Sequence, residues 1–380
     1  MTITVAHVMR TYGVHGGERQ LYQMFSTFAE PGFRHRFFFV YRDDVCKQRF
    51  RQVDGLTTDT LLPVRSRTFP SLVAELSFLL LFLPLLQLRL VWLLARTRSR
   101  VCVAHGVQAA LVCWLGAQLL RHVAFVYVHR GTKSTLGRNR LFRLVYRPFR
   151  MVAGVSEASV QSLTGLAEPS KLAVIQNGID LHSIDAQKVA CQSEAGHDAF
   201  VVCCVGRLLP QKGQQLIIEA FALLCLAWPR SELLIVGDGP DLARLKQLAT
   251  AEGVASKIRF LGNRTDVICL LENSDAFVHA SESEGLSNAV LEAMAMDLPS
   301  VVVDAPGVAE CHVHTETGYI VNRLAADISG KLLDLARDAD LRTAMGAAAR
   351  RRVQSVFSME ANCARYADVY RQLVQESAKG

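Results

Sequence analysis

Two glutamates with a turn of small residues between them carry the first sign of chemistry in this chain. Glu284 and Glu292 lie eight positions apart in "SESEGLSNAVLEAMAM". The residues before them, "DAFVHAS", read as a strand, "ESEGLS" as a loop and "NAVLEAMAM" as the opening of a helix. First-turn amides of a helix have no intrahelical acceptor, and together with the positive end of the helix dipole they suit a diphosphate. Glu284 in the loop and Glu292 inside the helix would then grip hydroxyls on either side of it, and sugar hydroxyls are natural partners. Arg207 and Lys212 in "VGRLLPQKGQQLIIEAF" stand between a strand end and a helix start. Arginine donates two parallel bonds and lysine supplies a compact charge, so the pair can neutralise charge developing on a leaving diphosphate. Alone, the pair would read as solvated surface cations. Beside the glutamate loop it reads as a phosphate site.

The elements that position these residues follow an α/β alternation. The runs "ITVAHVM", "HRFFFVYR", "VCVAH", "HVAFVYVHR", "MVAGVS" and "LAVIQNG" read as strands with helices between them. After the polar stretch "KVACQSEAGHDA" a second series begins: "FVVCCVG", "ELLIVGDG", "KIRFLGN", "DAFVHAS", "SVVVDA" and "TGYIVN". A chain of 380 residues is too long for one ordinary core. We therefore expect two Rossmann-like domains, residues 1–185 and 186–356, joined near 186–198, with the site in a cleft between them. Residues 357–380 read as a C-terminal amphipathic helix docking on a domain.

Half of the residues are hydrophobic and 20% are charged, which excludes extended disorder. The net charge of +7 suits an anionic partner: a phosphorylated small molecule, an acidic lipid surface or nucleic acid. No motif interleaves the arginines with stacking aromatics, so nucleic acid is set aside. The ten cysteines lie mostly in apolar runs and form no CxxC pair, so they read as buried thiols. Cys311, His312 and His314 in "ECHVH" have no second ligand pair to complete a metal site. "MTITVAHVMR" lacks a basic leader and a long apolar region, and with the free thiols it gives the expectation of a cytoplasmic protein.

The stretch "LSFLLLFLPLLQLRLVWLLA", Leu76 to Ala95, is long enough to span a bilayer. Strands on both sides of it belong to one sheet, which argues against spanning. Arg65, Arg67, Arg96, Arg98 and Arg100 flank it, and "RNRLFRLVYRPFR" adds a second basic and apolar segment. A peripheral role on an anionic membrane surface and a helix buried against the sheet both fit.

"GRLLPQKG" together with "ESEGLSNAVLEAMAMDLPSVV" resembles the donor-binding signature of family 4 glycosyltransferases, which have the GT-B fold of two facing Rossmann-like domains. "GVHGGERQL", "VSEASVQSL", "VIQNGID", "IVGDGP" and "GVAECHVHTETGYIVN" extend the likeness through most of the chain. The resemblance implies that Glu284 contacts the donor sugar, Glu292 the nucleotide ribose, and Arg207 and Lys212 the diphosphate. It implies that the backbone amides of Leu286, Ser287 and Asn288 assist, and that Gly16 and Gly17 let the first-domain loop approach the ligand. His129 in "FVYVHRGTK" matches a histidine that reaches the donor sugar, although Arg130 replaces the aspartate that often follows it. His105 is a second strand-end histidine, read as structural or as lining the cleft. Transfer with retention of anomeric configuration is implied. No DxD motif occupies a strand end, so no metal is expected. In the family the N-terminal domain selects the acceptor, and its apolar stretch and basic segments here point to a lipid-linked or cell-surface saccharide, as in polysaccharide or lipopolysaccharide biosynthesis at the inner face of the membrane.

A dinucleotide-dependent oxidoreductase would share the Rossmann elements, but "GDGPDL" has Leu242 where the third small residue of the glycine fingerprint belongs. A binding protein that kept the fold and lost catalysis, a nucleotide-sugar epimerase and a sugar phosphorylase remain as alternatives.

Overall fold

The computed structural model describes residues 2–11, 16–65, 72–132, 141–191 and 198–379. Residues 13–15 of the first glycine loop, Arg67, residues 138–140 of the second basic segment and residues 192–197 of the expected junction lie outside them. By internal contacts the chain divides into two compact units: Met1–Gly178 with Met359–Gly380, and Ile179–Ser358. The division falls at Gly178/Ile179 and Ser358/Met359, where the sequence reading places its bounds at 185/186 and 356/357.

The first unit holds a parallel sheet of β1 (Ile3–Met9), β2 (Phe33–Arg42), β3 (Thr57–Arg65), β4 (Val101–His105), β5 (Ala124–His129), β6 (Met151–Gly154) and β7 (Leu172–Val174), in the order β3-β2-β1-β4-β5-β6-β7. The central strands β4 and β5 are buried at every residue, as parallel strands covered on both faces must be, which explains their unbroken apolar runs. The edge strand β3 escapes the sequence pattern because threonines and Asp59 interrupt it and Pro63 lies within it. The apolar helix Leu72–Arg96 lies over this sheet and sinks Leu79, Leu86, Leu90 and Leu94 into its core. At the C-terminal end of β1, Arg10 is ion-paired with Glu75 in the first turn of that helix.

The C-terminal helix Met359–Lys379 returns to the first unit and packs on the helix Gly16–Thr27. Arg371 bonds Glu30 at 2.8 Å, and Tyr370 stands edge-on to His7 with ring centroids 6.4 Å apart. Beneath it, His7 Nδ1 lies 3.1 Å from His105 Nε2 and His7 Nε2 lies 3.0 Å from His35 Nδ1, a buried chain of three imidazoles. His105 is thus a structural histidine.

Burial lowers the pKa of all three, that of His35 to about 4, and burial takes His312 of the second unit to about 4 as well. These rings fold neutral, whereas an unfolded histidine takes a proton near pH 6.5. Stability is therefore complete above that pH and falls as the pH drops towards 4. Each of His35 and His312 removes on the order of 3 kcal/mol by pH 4. Urea midpoints measured between pH 7.5 and 4.5 should fall on the acid side, and a flat profile would refute the buried neutral state.

The second unit contains β8 (Phe200–Val205), β9 (Ser231–Val236), β10 (Ile258–Gly262), β11 (Ala276–His279), β12 (Ser300–Val303) and β13 (Gly318–Val321), in the order β10-β9-β8-β11-β12-β13. Both sheets thus show the doubly wound order, reversing at β1/β4 and at β8/β11, and such reversals open a crevice beyond the C-terminal strand ends. The helix Leu181–Ala190 belongs to this unit: Asp180 caps it, and Asp185 accepts from Arg350 at 2.6 Å.

One cysteine expectation is corrected. Cys191 and Cys269 form a disulfide, because the end of the helix Leu181–Ala190 rests on the helix Val267–Glu272 and brings the two Cα atoms to 5.3 Å. The other cysteines are free thiols, and all but the half-buried Cys225 are buried.

Candidate active site

The strands at the β8/β11 reversal deliver two loops to the same place. After β8, Gly206 and Arg207 lead into the short helix Pro210–Lys212 and then the helix Gln214–Ala227. After β11, Ala280–Gly285 lead to Ser287 and the helix Asn288–Ala295. The loops are stitched together by Glu282 N–H donating to the Gln211 carbonyl at 2.9 Å. Gly213 permits the approach: its φ is +73°, and a Cβ there would stand 2.1 Å from the Ala280 carbonyl oxygen. On the other side, Glu284 N–H donates to the Pro306 carbonyl at 2.9 Å.

This scaffold brings Lys212 and Glu284 together, with Lys212 Nζ donating to Glu284 Oε1 at 2.5 Å. His279, buried at the end of β11, completes the cluster: its Nε2 lies 3.3 Å from both Glu284 Oε1 and Ser287 Oγ. Burial pushes the Glu284 carboxyl up, but the His279 hydrogen bond and the Lys212 ammonium outweigh it and hold the pKa at about 2. Glu284 is therefore a carboxylate throughout the neutral range and acts only as a hydrogen-bond acceptor, the form that suits a hydroxyl donor. No loop chemistry in the sequence marks His279, although it stands at a strand end five residues before Glu284.

Ser287 caps the helix Asn288–Ala295 through its backbone only; its hydroxyl turns to His279 instead of the first-turn amides. Leu286 and Ser287 are buried, Asn288 is half-buried, and Glu292 is buried inside the helix. Arg207 is exposed and bears no ion pair among the described residues, while its carbonyl accepts from Gln214 Nε2 at 3.0 Å. The glycines of "GDGP" fit closely beneath this loop: a Cβ on Gly237 would meet the Gly206 carbonyl oxygen at 2.0 Å, and one on Gly239 the Leu208 carbonyl oxygen at 2.2 Å.

In the first unit, His129 ends β5 with its Nδ1 3.0 Å from the Tyr127 hydroxyl; its buried Nε2 has no partner among the described residues, and burial lowers its pKa. Arg130 donates to Asn177 Oδ1 at 3.0 Å, tying the strand end to "VIQNGID". Gly16 and Gly17 open the helix Gly16–Thr27. A Cβ on Gly17 would meet only ordinary contacts, Met9 Cε at 3.5 Å and Arg130 Cδ at 3.7 Å, so packing alone does not require glycine there.

The "ECHVH" residues go to separate structural tasks. The Cys311 carbonyl accepts from Arg352 at 2.8 Å, His312 Nδ1 lies 3.1 Å from Thr317 Oγ1, and His314 Nδ1 accepts from Ile320 N–H at 3.0 Å. Among the described residues no group of three or more His, Cys, Asp or Glu side chains is arranged to hold a metal ion.

The same architecture recurs in solved glycosyltransferases. A structure of Anabaena HepE in complex with UDP superposes with a TM-score of 0.79 at 20% identity, covering 97% of this chain and 100% of that one. A glycosyltransferase from Rickettsia africae gives 0.80 at 18% identity, covering 98% and 99%. The fold is GT-B.

Residues 14–183 match the model described as Glycosyltransferase Family 4, and residues 187–352 that of Glycosyl transferases group 1. Together the two models cover most of the chain: the protein is a glycosyltransferase and belongs to family 4. Among its relatives, the N-acetyl-alpha-D-glucosaminyl L-malate synthase of Bacillus anthracis is 25% identical over 73% of this chain and 76% of that protein. A GDP-mannose-dependent alpha-(1-6)-phosphatidylinositol monomannoside mannosyltransferase of Mycobacterium tuberculosis is 31% identical, over 45% of this chain and 47% of that protein.

Proposed function

We propose that the protein transfers a hexosyl group from a nucleoside-diphosphate sugar to a saccharide acceptor, lipid-linked or on its way to the cell surface, with retention of configuration and without a metal ion. The observation that carries this reading is the Lys212–Glu284–His279 cluster beside the start of the helix Asn288–Ala295. Arg207 and Lys212 bind the diphosphate and offset the charge that grows on it as the glycosidic bond breaks. The amides of Leu286, Ser287 and Asn288 add the helix-terminal contribution. Ionised Glu284 accepts a hydroxyl of the donor sugar, and Glu292 takes the nucleotide ribose. Gly16 and Gly17 leave room for a ligand, and His129, neutral and with Nε2 buried, is a sugar contact. With retention, a donor phosphate oxygen takes the acceptor's proton as the new bond forms on the same face.

Relatives support the donor and acceptor classes: one carries GDP-mannose dependence and a phosphatidylinositol monomannoside in its name, and HepE was solved with UDP. Proton NMR of the product at early times should show the donor's anomeric configuration, and turnover should be unchanged in EDTA. An inverted product or loss of activity to chelator would overturn the retaining, metal-independent part of the proposal. Free-sugar or epimerised-donor release, or a need for inorganic phosphate, would redirect it to an epimerase or phosphorylase. We place the protein in the cytoplasm, at the inner face of the membrane. The Cys191–Cys269 disulfide removes the thiol argument for that compartment. Cell fractionation tests the placement, and recovery outside the cytoplasm and inner membrane would refute it.

A further inference from the structure

The helix Leu72–Arg96 has two apolar faces, and the fold uses one. Leu79, Leu86, Leu90 and Leu94 are fully buried in the core of the first unit. On the opposite side Leu81, Leu85, Leu88 and Trp92, at spacings of 4, 3 and 4, form a stripe in solvent, with Leu81 74% exposed and Trp92 55% exposed. An isolated exposed leucine is ordinary, but a stripe of this length on one helix marks an interaction face. The neighbouring helices continue the layer: Val107–Leu119 packs against Leu72–Arg96, and Leu141–Tyr146 packs against Val107–Leu119. Leu119 and Leu144 are more than half exposed there.

Charge identifies the occupant. Arg89, Arg96 and Arg98 are exposed beside the stripe, and the Arg96 guanidinium lies 5.1 Å from the centroid of the Trp92 ring. At the other end, Leu144 borders a cavity of about 490 Å³ lined by Arg143, Arg147 and Lys171, with Glu168 the acidic residue among them. Exposed leucines and a tryptophan rimmed by arginines match the boundary between acyl chains and anionic headgroups. The inner face of the helix is committed to the core, and β3 and β4, which precede and follow it in the chain, lie in one sheet. The helix is therefore not placed to cross a bilayer.

We propose that this outer face docks the protein on an anionic lipid bilayer, with the stripe Leu81, Leu85, Leu88 and Trp92 entering the interface and the flanking arginines engaging headgroup phosphates. The proposal concerns the first unit alone and goes beyond the transfer reaction.

The test is flotation of the full-length protein with vesicles of phosphatidylcholine alone and with 30% phosphatidylglycerol, at about 0.1 M and 0.5 M salt. The expected result is co-flotation with the anionic vesicles, weakened at high salt and lost at least ten-fold in Leu81→Glu/Leu88→Glu and in Arg89→Glu/Arg96→Glu. Circular dichroism and urea midpoints near wild type confirm that the variants fold; the outward position of these side chains makes that the expected result. No anionic co-flotation, equal binding to neutral vesicles, or unchanged binding in the folded variants would overturn the proposal. So would a wild-type dimer by light scattering that becomes a monomer in Leu81→Glu/Leu88→Glu without any vesicle binding, because a second copy would then cover the face.

Discussion

Lys212→Ala should lower kcat by about 10²–10³, the range for removing one preorganised group that stabilises developing negative charge. Glu284→Ala should lower kcat/KM by roughly 10- to 100-fold, in line with about 1.5–3 kcal/mol for a hydrogen bond to a charged group. The two losses should add to less than their product, because the side chains bond each other at 2.5 Å. The Lys212 variant should also change its pH dependence. In the wild type Glu284 titrates at about 2, so it contributes no acid limb between pH 5 and 8. Burial pushes this carboxyl up, and without the ammonium its pKa rises, with only His279 left to hold it down. Below that raised pKa the group is protonated, loses its charge and turns one oxygen into a donor, so it accepts a sugar hydroxyl less well and the variant should lose activity further as the pH falls. Steady-state rates from pH 5 to 8 check this; near-normal turnover in both folded variants would remove the cluster from the mechanism.

Gly213→Ala should be about as damaging to transfer while acting through the backbone. Its φ of +73° is costly for alanine, by roughly 1–2 kcal/mol. The added Cβ would sit 2.1 Å from the carbonyl oxygen of the fully buried Ala280, and such overpacking costs about 1–3 kcal/mol more. Relief requires parting the two loops, which carries Lys212 away from Glu284. The control is Gly253→Ala, where φ is +72° and nothing lies within 4 Å of the added carbon. It should show the conformational cost alone and keep activity. Urea denaturation and turnover measured together separate the two, and equal effects at both glycines would refute the close-approach argument.

The sequence exposes those parts of the molecule whose signal is local. All six strands of the second sheet and six of the seven in the first are visible as apolar runs, because central parallel strands are buried on both faces. β3 was missed because an edge strand tolerates Thr, Asp and Pro. Glu284 and Lys212 were legible from loop chemistry, yet their direct contact was not: it depends on Gly213 letting two loops separated by about 70 residues touch. His279 was hidden because a histidine ending a strand looks the same whether it supports a core, as His105 does, or a carboxylate. The Cys191–Cys269 pair spans 78 residues between two helices, and no spacing rule reaches that far. The apolar helix gave half its answer: composition cannot say which face enters the core.

The most direct test of the central claim is a calorimetric titration of UDP-, GDP- and ADP-sugars into the wild-type protein, Lys212→Ala and Glu284→Ala, in the presence of chelator. One nucleotide-sugar should bind the wild type and be slowly hydrolysed without acceptor, and both variants, folded by circular dichroism, should bind it at least ten-fold more weakly. Equal binding by the folded variants, or no binding of any of these donors to the wild type, would contradict it.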